Sequence, residues 1–218
     1  MLSKRLKVVL DYIENDDIVA DIGCDHGYLG IACIEKGIKF VQLIDNKEGP
    51  LSSAKANLKN YDSSKYELTL SDGLDLINNL VNTVVICGMG GELIVDIINN
   101  HLDIVKNMKK VIVQANTKIN YLRKYLSEHS LKIVDESIVE DMDKIYEIIV
   151  FTYEECSEKL DDFDILFGPC LRKEKNTVFI KKWTERLNEY NRILSNSYVE
   201  EIKKEKEMIE EVLYGKSK

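Results

Sequence analysis

Apolar residues in this chain follow a beat that changes character twice. Residues 18–22 run apolar except for Asp21 and stop at Gly23. After a short polar loop, Tyr28, Leu29, Ala32 and Cys33 fall on one side of a helical wheel. That order predicts strand, tight turn, helix. The beat recurs with strands expected at 40–44, 66–70, 83–87 and 110–114. Between the second and third, Pro50 opens a helix at the first position proline prefers, with Leu51, Ala54 and Leu58 inward. A helix over 117–128 follows the fifth strand and carries Lys118, Arg123 and Lys124. Ahead of everything, Ser3 caps a helix with Leu6, Val9, Leu10 and Ile13 at helical spacing.

The beat then shifts to a hairpin, with 132–138 and 145–151 flanking a turn at 140–143. Beyond a polar connector at 156–164 it shifts again. From Gly168-Pro169 a helical stripe runs through Leu171, Val178, Trp183, Leu187, Tyr190, Leu194, Tyr198, Ile202, Ile209 and Leu213. Two antiparallel helices, a coiled-coil hairpin broken near 195–197, fit that stripe. The expected fold class is α/β, a doubly wound Rossmann-like sheet with a helical appendage. The expected domains are a sheet domain at 1–155, a connector at 156–168 and a helical domain at 169–218.

Composition narrows this picture. A chain of 218 residues, 44% hydrophobic, has room for one α/β domain and an appendage. No apolar run reaches the ~20 residues of a membrane span, and the first twelve residues lack the form of a secretory signal. The five cysteines make no CxxC, so reduced thiols are expected, with neither a disulfide framework nor a metal. A cytoplasmic protein is the expectation. Net charge is −8, which argues against a general nucleic-acid binder. Yet residues 135–164 hold twelve acids against two lysines, so the rest of the chain is close to neutral. Residues 172–186 hold six basic residues against two acids, leaving room for a basic face.

The candidate chemistry starts at Asp21-Ile22-Gly23-Cys24-Asp25-His26-Gly27-Tyr28-Leu29-Gly30. No Gly-Lys-Ser/Thr follows, so the loop is not a phosphate loop. Its glycines do not fit the dinucleotide spacing G-x-G-x-x-G. The loop resembles motif I of the class I S-adenosylmethionine (SAM) methyltransferases, Asp/Glu-x-Gly-x-Gly-x-Gly, with Asp25 in place of the middle glycine. A carboxylate there repels a pyrophosphate and tolerates a cationic ligand. Asp45 ends the second strand about 20 residues on, where doubly wound folds place a ribose-binding acid. Asp72, after the third strand, matches the adenine-side polar residue of that class. The run Gly88-Met89-Gly90-Gly91 implies a close approach of backbone to ligand. It carries neither the Asp/Asn-Pro-Pro-Tyr of N6-adenine enzymes nor a Pro-Cys nucleophile. Gln114-Ala115-Asn116 ends the fifth strand at the ligand edge.

Several stretches together are specific: Leu2-Ser3-Lys4-Arg5-Leu6, the Asp21–Leu29 loop with its Asp25-His26 pair, Gly88–Gly91, Gly168-Pro169, Lys173-Glu174-Lys175-Asn176 and Lys181-Lys182-Trp183-Thr184. Over nearly the whole chain they resemble the bacterial tRNA (adenine(22)-N1)-methyltransferase family. The chain departs from that pattern at Gly30 and Ala115, where family members usually carry proline. The resemblance implies a Rossmann-like SAM domain with an antiparallel last strand, a C-terminal coiled coil and methylation of adenine N1 in the tRNA D-arm region. The expected cofactor residues are Asp21, Gly23, Cys24, Gly27, Tyr28, Asp45, Asn46, Asp72, Gly73, Gly88 and Met89. Asp25 and His26 are the expected catalytic pair. Gly90, Gly91, Asn116, Lys118, Arg172, Lys173, Lys181, Lys182 and Arg186 are the expected tRNA contacts. Trp183 reads as a core residue in preference to a stacking platform. A monomer is the working expectation.

Other classes stay open on the residues alone. A small-molecule methyltransferase would use the tail to dimerise or to cover the pocket. A non-catalytic SAM-binding or protein-interaction module would make the coiled coil its working surface. A nicotinamide oxidoreductase fits least, because of the glycine spacing.

Overall fold

The computed structural model describes residues 2–215. The chain divides into two compact units, residues 1–159 and 160–218.

The first unit opens with α1 (Lys4–Asp11), whose Ser3 side chain accepts a hydrogen bond from the Leu6 N–H. Then come β1 (Val19–Ile22), α2 (Tyr28–Lys36), β2 (Val41–Asp45), α3 (Glu48–Leu58), β3 (Tyr66–Leu70), β4 (Thr83–Gly90), α4 (Gly91–Asn100), α5 (Leu102–Val105), β5 (Lys110–Thr117), α6 (Ile119–Glu128), β6 (Leu131–Asp141) and β7 (Lys144–Tyr153). The sheet order is β3-β2-β1-β4-β5-β7-β6. β1 to β5 run parallel, and β7 is antiparallel to both β5 and β6. Val84, Val85, Ile86, Ile112 and Val113 are wholly buried, as strands covered on both faces must be. The order reverses between β1 and β4, and the carboxyl ends of the strands there form the crevice where open α/β sheets bind ligands.

Several boundaries differ from the sequence expectation. α3 starts two residues before Pro50, which takes its third position; the first turn of a helix has no intrahelical N–H bonds for proline to break. β4 and β5 continue to Gly90 and Thr117 with register shifts around Met89, so most of the expected glycine loop is irregular strand. α6 begins at Ile119 because Lys118 takes a left-handed conformation, φ +53°. The expected connector holds a helix of its own, α7 (Asp162–Phe167), capped by the Asp161 side chain.

One cation of α6 turns inward. Arg123 is fully buried; its Nε donates to Glu136 at 2.9 Å and its Nη2 to Glu147 at 2.6 Å. This tie fixes α6 to β6 and β7. Charges buried this way hold only as a set, because removing one member strands the others.

The second unit contains α7, α8 (Leu171–Glu174), α9 (Thr177–Asn196) and α10 (Glu200–Tyr214). Ser197 ends α9 inside the expected break. Tyr190 Oη donates to Glu205 at 2.7 Å, and Lys175 Nζ to the Val212 carbonyl at 2.7 Å, which is antiparallel pairing. The buried stripe of α9 is Phe179, Trp183, Leu187 and Tyr190. Phe179 thus replaces Val178 in the expected stripe, Val212 is buried beside the half-buried Leu213, and Tyr198 is exposed in the break. Trp183 packs edge-on against Phe167 with centroids 4.5 Å apart, which makes it a core residue.

Among the described residues no helix is long and apolar enough to cross a membrane.

Candidate functional site

Two cavities open at the carboxyl ends of β1, β2 and β4, and both are walled by Gly23. The first holds about 300 Å³ between Asp45, Asn46, Pro50, Ser71, Asp72, Gly73, Met89 and Leu93. The second holds about 310 Å³ between Arg5, Asp21, Cys24, Asp25, His26, Tyr28, Cys87 and Gly88. Gly23 adopts φ +72°, and a Cβ on it would lie 2.3 Å from the Met89 methyl. The turn therefore favours glycine for its conformation, and a side chain there would push the end of Met89 into the junction.

The polar side chains of the first cavity sit on two successive turns, those after β2 and β3. Asp45 ends β2, and its carboxylate accepts the Lys47 N–H at 3.0 Å. The Ser71 N–H donates to the Asp45 carbonyl at 3.0 Å, which draws the β3 turn alongside. His101 fixes the far side of that turn through Asp75, at 2.8 Å, and the Ile97 carbonyl, at 2.8 Å.

The second cavity is dominated by Asp21. Its carboxyl is 5% exposed at the end of β1. Burial pushes its pKa up to about 7, the Asp45 charge adds to the rise, and Arg5 partly opposes it. A buried acid in that condition favours a cationic ligand. The thiols beside it are unreactive: burial and Asp21 push Cys87 up to about 12, and Cys24 and Cys33 move the same way.

Asp25 takes φ +48°, the left-handed conformation that the glycine of the related motif would adopt. Aspartate tolerates it better than most residues. Asp25 Oδ1 lies 3.6 Å from His26 Nε2, and the side chains are 71% and 48% exposed at the mouth of the cavity. The His26 carbonyl accepts a bond from Asn57, and its ring lies 5.6 Å from that of Tyr28.

Arg5 is the residue that sequence reasoning missed here. Its guanidinium bonds to the Gln114 side chain, lies 5.3 Å from the Tyr146 ring centroid and walls the second cavity. Gln114 donates to Asn116 at 3.0 Å, and Asn116 donates to the Gly88 carbonyl at 2.7 Å. A helical stripe cannot reveal this, since Arg5 lies on a polar position of α1.

The expected RNA contacts divide. Asn116 is exposed at the site. Gly90 is half-buried, and a Cβ on it would meet Thr117 Oγ1 at 3.3 Å. Gly91 starts α4 buried, and a Cβ there would lie 2.5 Å from the Lys118 carbonyl oxygen, so packing alone accounts for that glycine. Lys118 pairs with Glu92 at 2.6 Å, which raises its pKa. In the second unit Arg172 is drawn into α7, 2.8 Å from Asp164 and over the Phe163 ring. Lys173 and Lys181 are exposed, Lys182 lies over Trp183, and Arg186 pairs with Glu189 at 3.1 Å.

Comparisons with known proteins agree on one family. Residues 19–218 match the sequence profile of the tRNA (adenine(22)-N(1))-methyltransferases. The tRNA (adenine(22)-N(1))-methyltransferase of Bacillus subtilis is 35% identical over 193 residues, 85% of this chain and 81% of the relative. The Streptococcus pneumoniae protein Sp1610, solved in complex with S-adenosyl-L-methionine, superposes with a TM-score of 0.90 at 34% identity, covering 98% of this chain and 100% of that one. M. capricolum TrmK, solved with S-adenosyl-homocysteine, superposes with a TM-score of 0.86 at 27% identity, covering 98% of each chain. By its sequence over 200 residues, and by a fold shared along its length with these proteins, the chain belongs to the tRNA (adenine(22)-N(1))-methyltransferase family.

Proposed function

We infer that this protein transfers a methyl group from S-adenosyl-L-methionine to N1 of adenine 22 in tRNA. The observation that carries the reading is the pair of cavities meeting at Gly23, one walled by Asp45 and the other by buried Asp21. Their donor set fits SAM. In this reading Asp45 accepts from both ribose hydroxyls, Asp72 and Gly73 face the adenine, and Asp21 with Arg5 meets the charged amino-acid end. Bound there, SAM supplies an electrophilic methyl on a sulfonium.

The protein's own residues then have little covalent work. Adenine N1 carries a free lone pair at neutral pH, so no base must act first, and positioning dominates. N1 lies on the pairing edge, so a paired target must leave the stack. Methylation leaves the adenine cationic. Asp25, at the cavity mouth, is placed to stabilise that charge as it develops, with His26 orienting it. The exposure of Asp25 keeps this effect modest. Asp25→Asn preserves the left-handed backbone, and kcat at saturating SAM and tRNA should fall about tenfold with little change in SAM affinity. Unchanged kcat with a weakened SAM complex would assign Asp25 to the cofactor instead.

Cations of α9 are proposed to hold the tRNA backbone. Reversing Lys181 and Lys182 to Glu should weaken tRNA binding roughly tenfold at moderate salt and flatten its salt dependence. SAM binding should be unaffected. Unchanged tRNA affinity would exclude that surface. A monomer suffices for this chemistry, no step requires a metal, and tRNA as substrate implies a cytoplasmic site of action.

The test against a small-molecule methyltransferase is direct. Labelled methyl from SAM should enter the RNA of a cell extract and disappear from products after ribonuclease treatment. Incorporation that survives RNA removal would favour the small-molecule reading.

A further inference from the structure

A third cavity, of about 450 Å³, lies between the carboxyl end of β5 and the start of β7, lined by Asn116, Lys144, Ile145 and Tyr146. We propose that it receives the flipped-out target adenine, with the Tyr146 ring as its stacking wall and Asn116 reading the base edge. The proposal rests on the adenine-methyltransferase reading above.

Position is the first argument. β7 runs antiparallel, so its first residues reach the same edge of the sheet as the carboxyl ends of the parallel strands. Gln114 pairs with Ile148, and extending that register by two residues sets Asn116 opposite Tyr146. Two contacts link its lining to that of the second cavity. Asn116 holds the Gly88 carbonyl, and Arg5 touches Tyr146 on one side and walls the SAM cavity on the other. An acceptor here would approach past Gly88, which carries no side chain.

Chemistry is the second argument. Cavities of this size hold nucleoside-sized ligands. An unpaired base is stabilised by a flat aromatic face. The half-buried Tyr146 ring is held in place by the Arg5 guanidinium. Asn116 spends one amide hydrogen on Gly88 and one lone pair on Gln114. Its second hydrogen and second lone pair remain, the pattern that pairs with adenine N7 and the N6 amino group. That contact leaves N1 free to face the donor and disfavours guanine, whose O6 is an acceptor. Exposed Lys144 at the rim suits the phosphate of the extruded nucleotide.

The experiment compares wild type with Tyr146→Leu and Tyr146→Phe on tRNA, with SAM affinity measured by calorimetry. Tyr146→Leu should lower kcat/KM for tRNA between ten- and a hundredfold, roughly the weight of one base-aromatic stack, while SAM affinity stays within about twofold. Tyr146→Phe, which keeps the ring, should recover most of the loss. With 2-aminopurine at the target position, the saturated complex should be brighter in Tyr146→Leu than in wild type, because the quenching ring is gone. Wild-type kcat/KM and fluorescence in Tyr146→Leu would overturn the proposal. So would a parallel loss of SAM binding, which would mark Tyr146 as a prop for Arg5. A wild-type protein that binds SAM yet methylates no tRNA would overturn the underlying reading, and the proposal with it.

Discussion

Asp21→Asn should weaken SAM binding roughly a hundredfold and stabilise the ligand-free protein by about 2–4 kcal/mol at pH 8. Both effects come from one cause. Burial and the nearby Asp45 raise the Asp21 pKa to about 7, from the 3.8 of a free aspartate. The folded chain then holds that proton more tightly than the unfolded chain. No penalty exists below about pH 4; it grows as the pH rises and is complete above about pH 7. The amide removes the penalty and also removes the negative charge that a cationic amino-acid end would neutralise. Wild-type SAM affinity should fall as the pH drops below 7, with proton release on binding, and the variant should show neither. Calorimetry in buffers of different ionisation heat, beside thermal melts of the free protein, checks all of this. An affinity independent of pH between 5.5 and 8 would remove Asp21 from the ligand's charge balance.

Gly23→Ala should leave the fold standing and weaken SAM binding roughly thirtyfold, by the cost of overpacking a filled site. The new methyl would sit 2.3 Å from the end of the Met89 side chain at a backbone angle of +72°. Met89 is flexible and can yield, so the chain folds, with a strain of about 1–2 kcal/mol from the left-handed residue. It yields into the junction where the two cavities meet, and the loss appears in the ligand. Titration of SAM against the variant, with a melt to confirm folding, measures both. Wild-type affinity would mean that the ligand does not cross Gly23.

The alternation of strands and helices was readable because the central strands β1, β2, β4 and β5 are buried on both faces over much of their length. Residues 19–22 and the start of β4 at Thr83 show how sharp that signal is. The boundaries that slipped are those set by tertiary contacts. Nothing local to residues 114–117 announces that β5 continues, since its last residues are held by β4 across a bulge. The same limit governs the site. Asp21, Gly23, Asp45 and Asp72 were legible because one fold places them at fixed offsets from its strand ends. Arg5 and Tyr146 reach the site from the two ends of the unit's sequence and meet only through β7. The sequence reads Arg123 only as a cation carried by α6, and only the hairpin's Glu136 and Glu147 explain why it is buried.

The central claim, that this site methylates adenine 22 of tRNA from SAM, is tested most directly by nucleoside analysis of a defined tRNA after incubation with the protein and labelled SAM. The account predicts 1-methyladenosine in the tRNA with adenine at position 22. It predicts none in the same tRNA with guanine there, and none with Asp21→Asn at limiting SAM. Equal labelling of both tRNAs, or label in a nucleoside other than 1-methyladenosine, would contradict it.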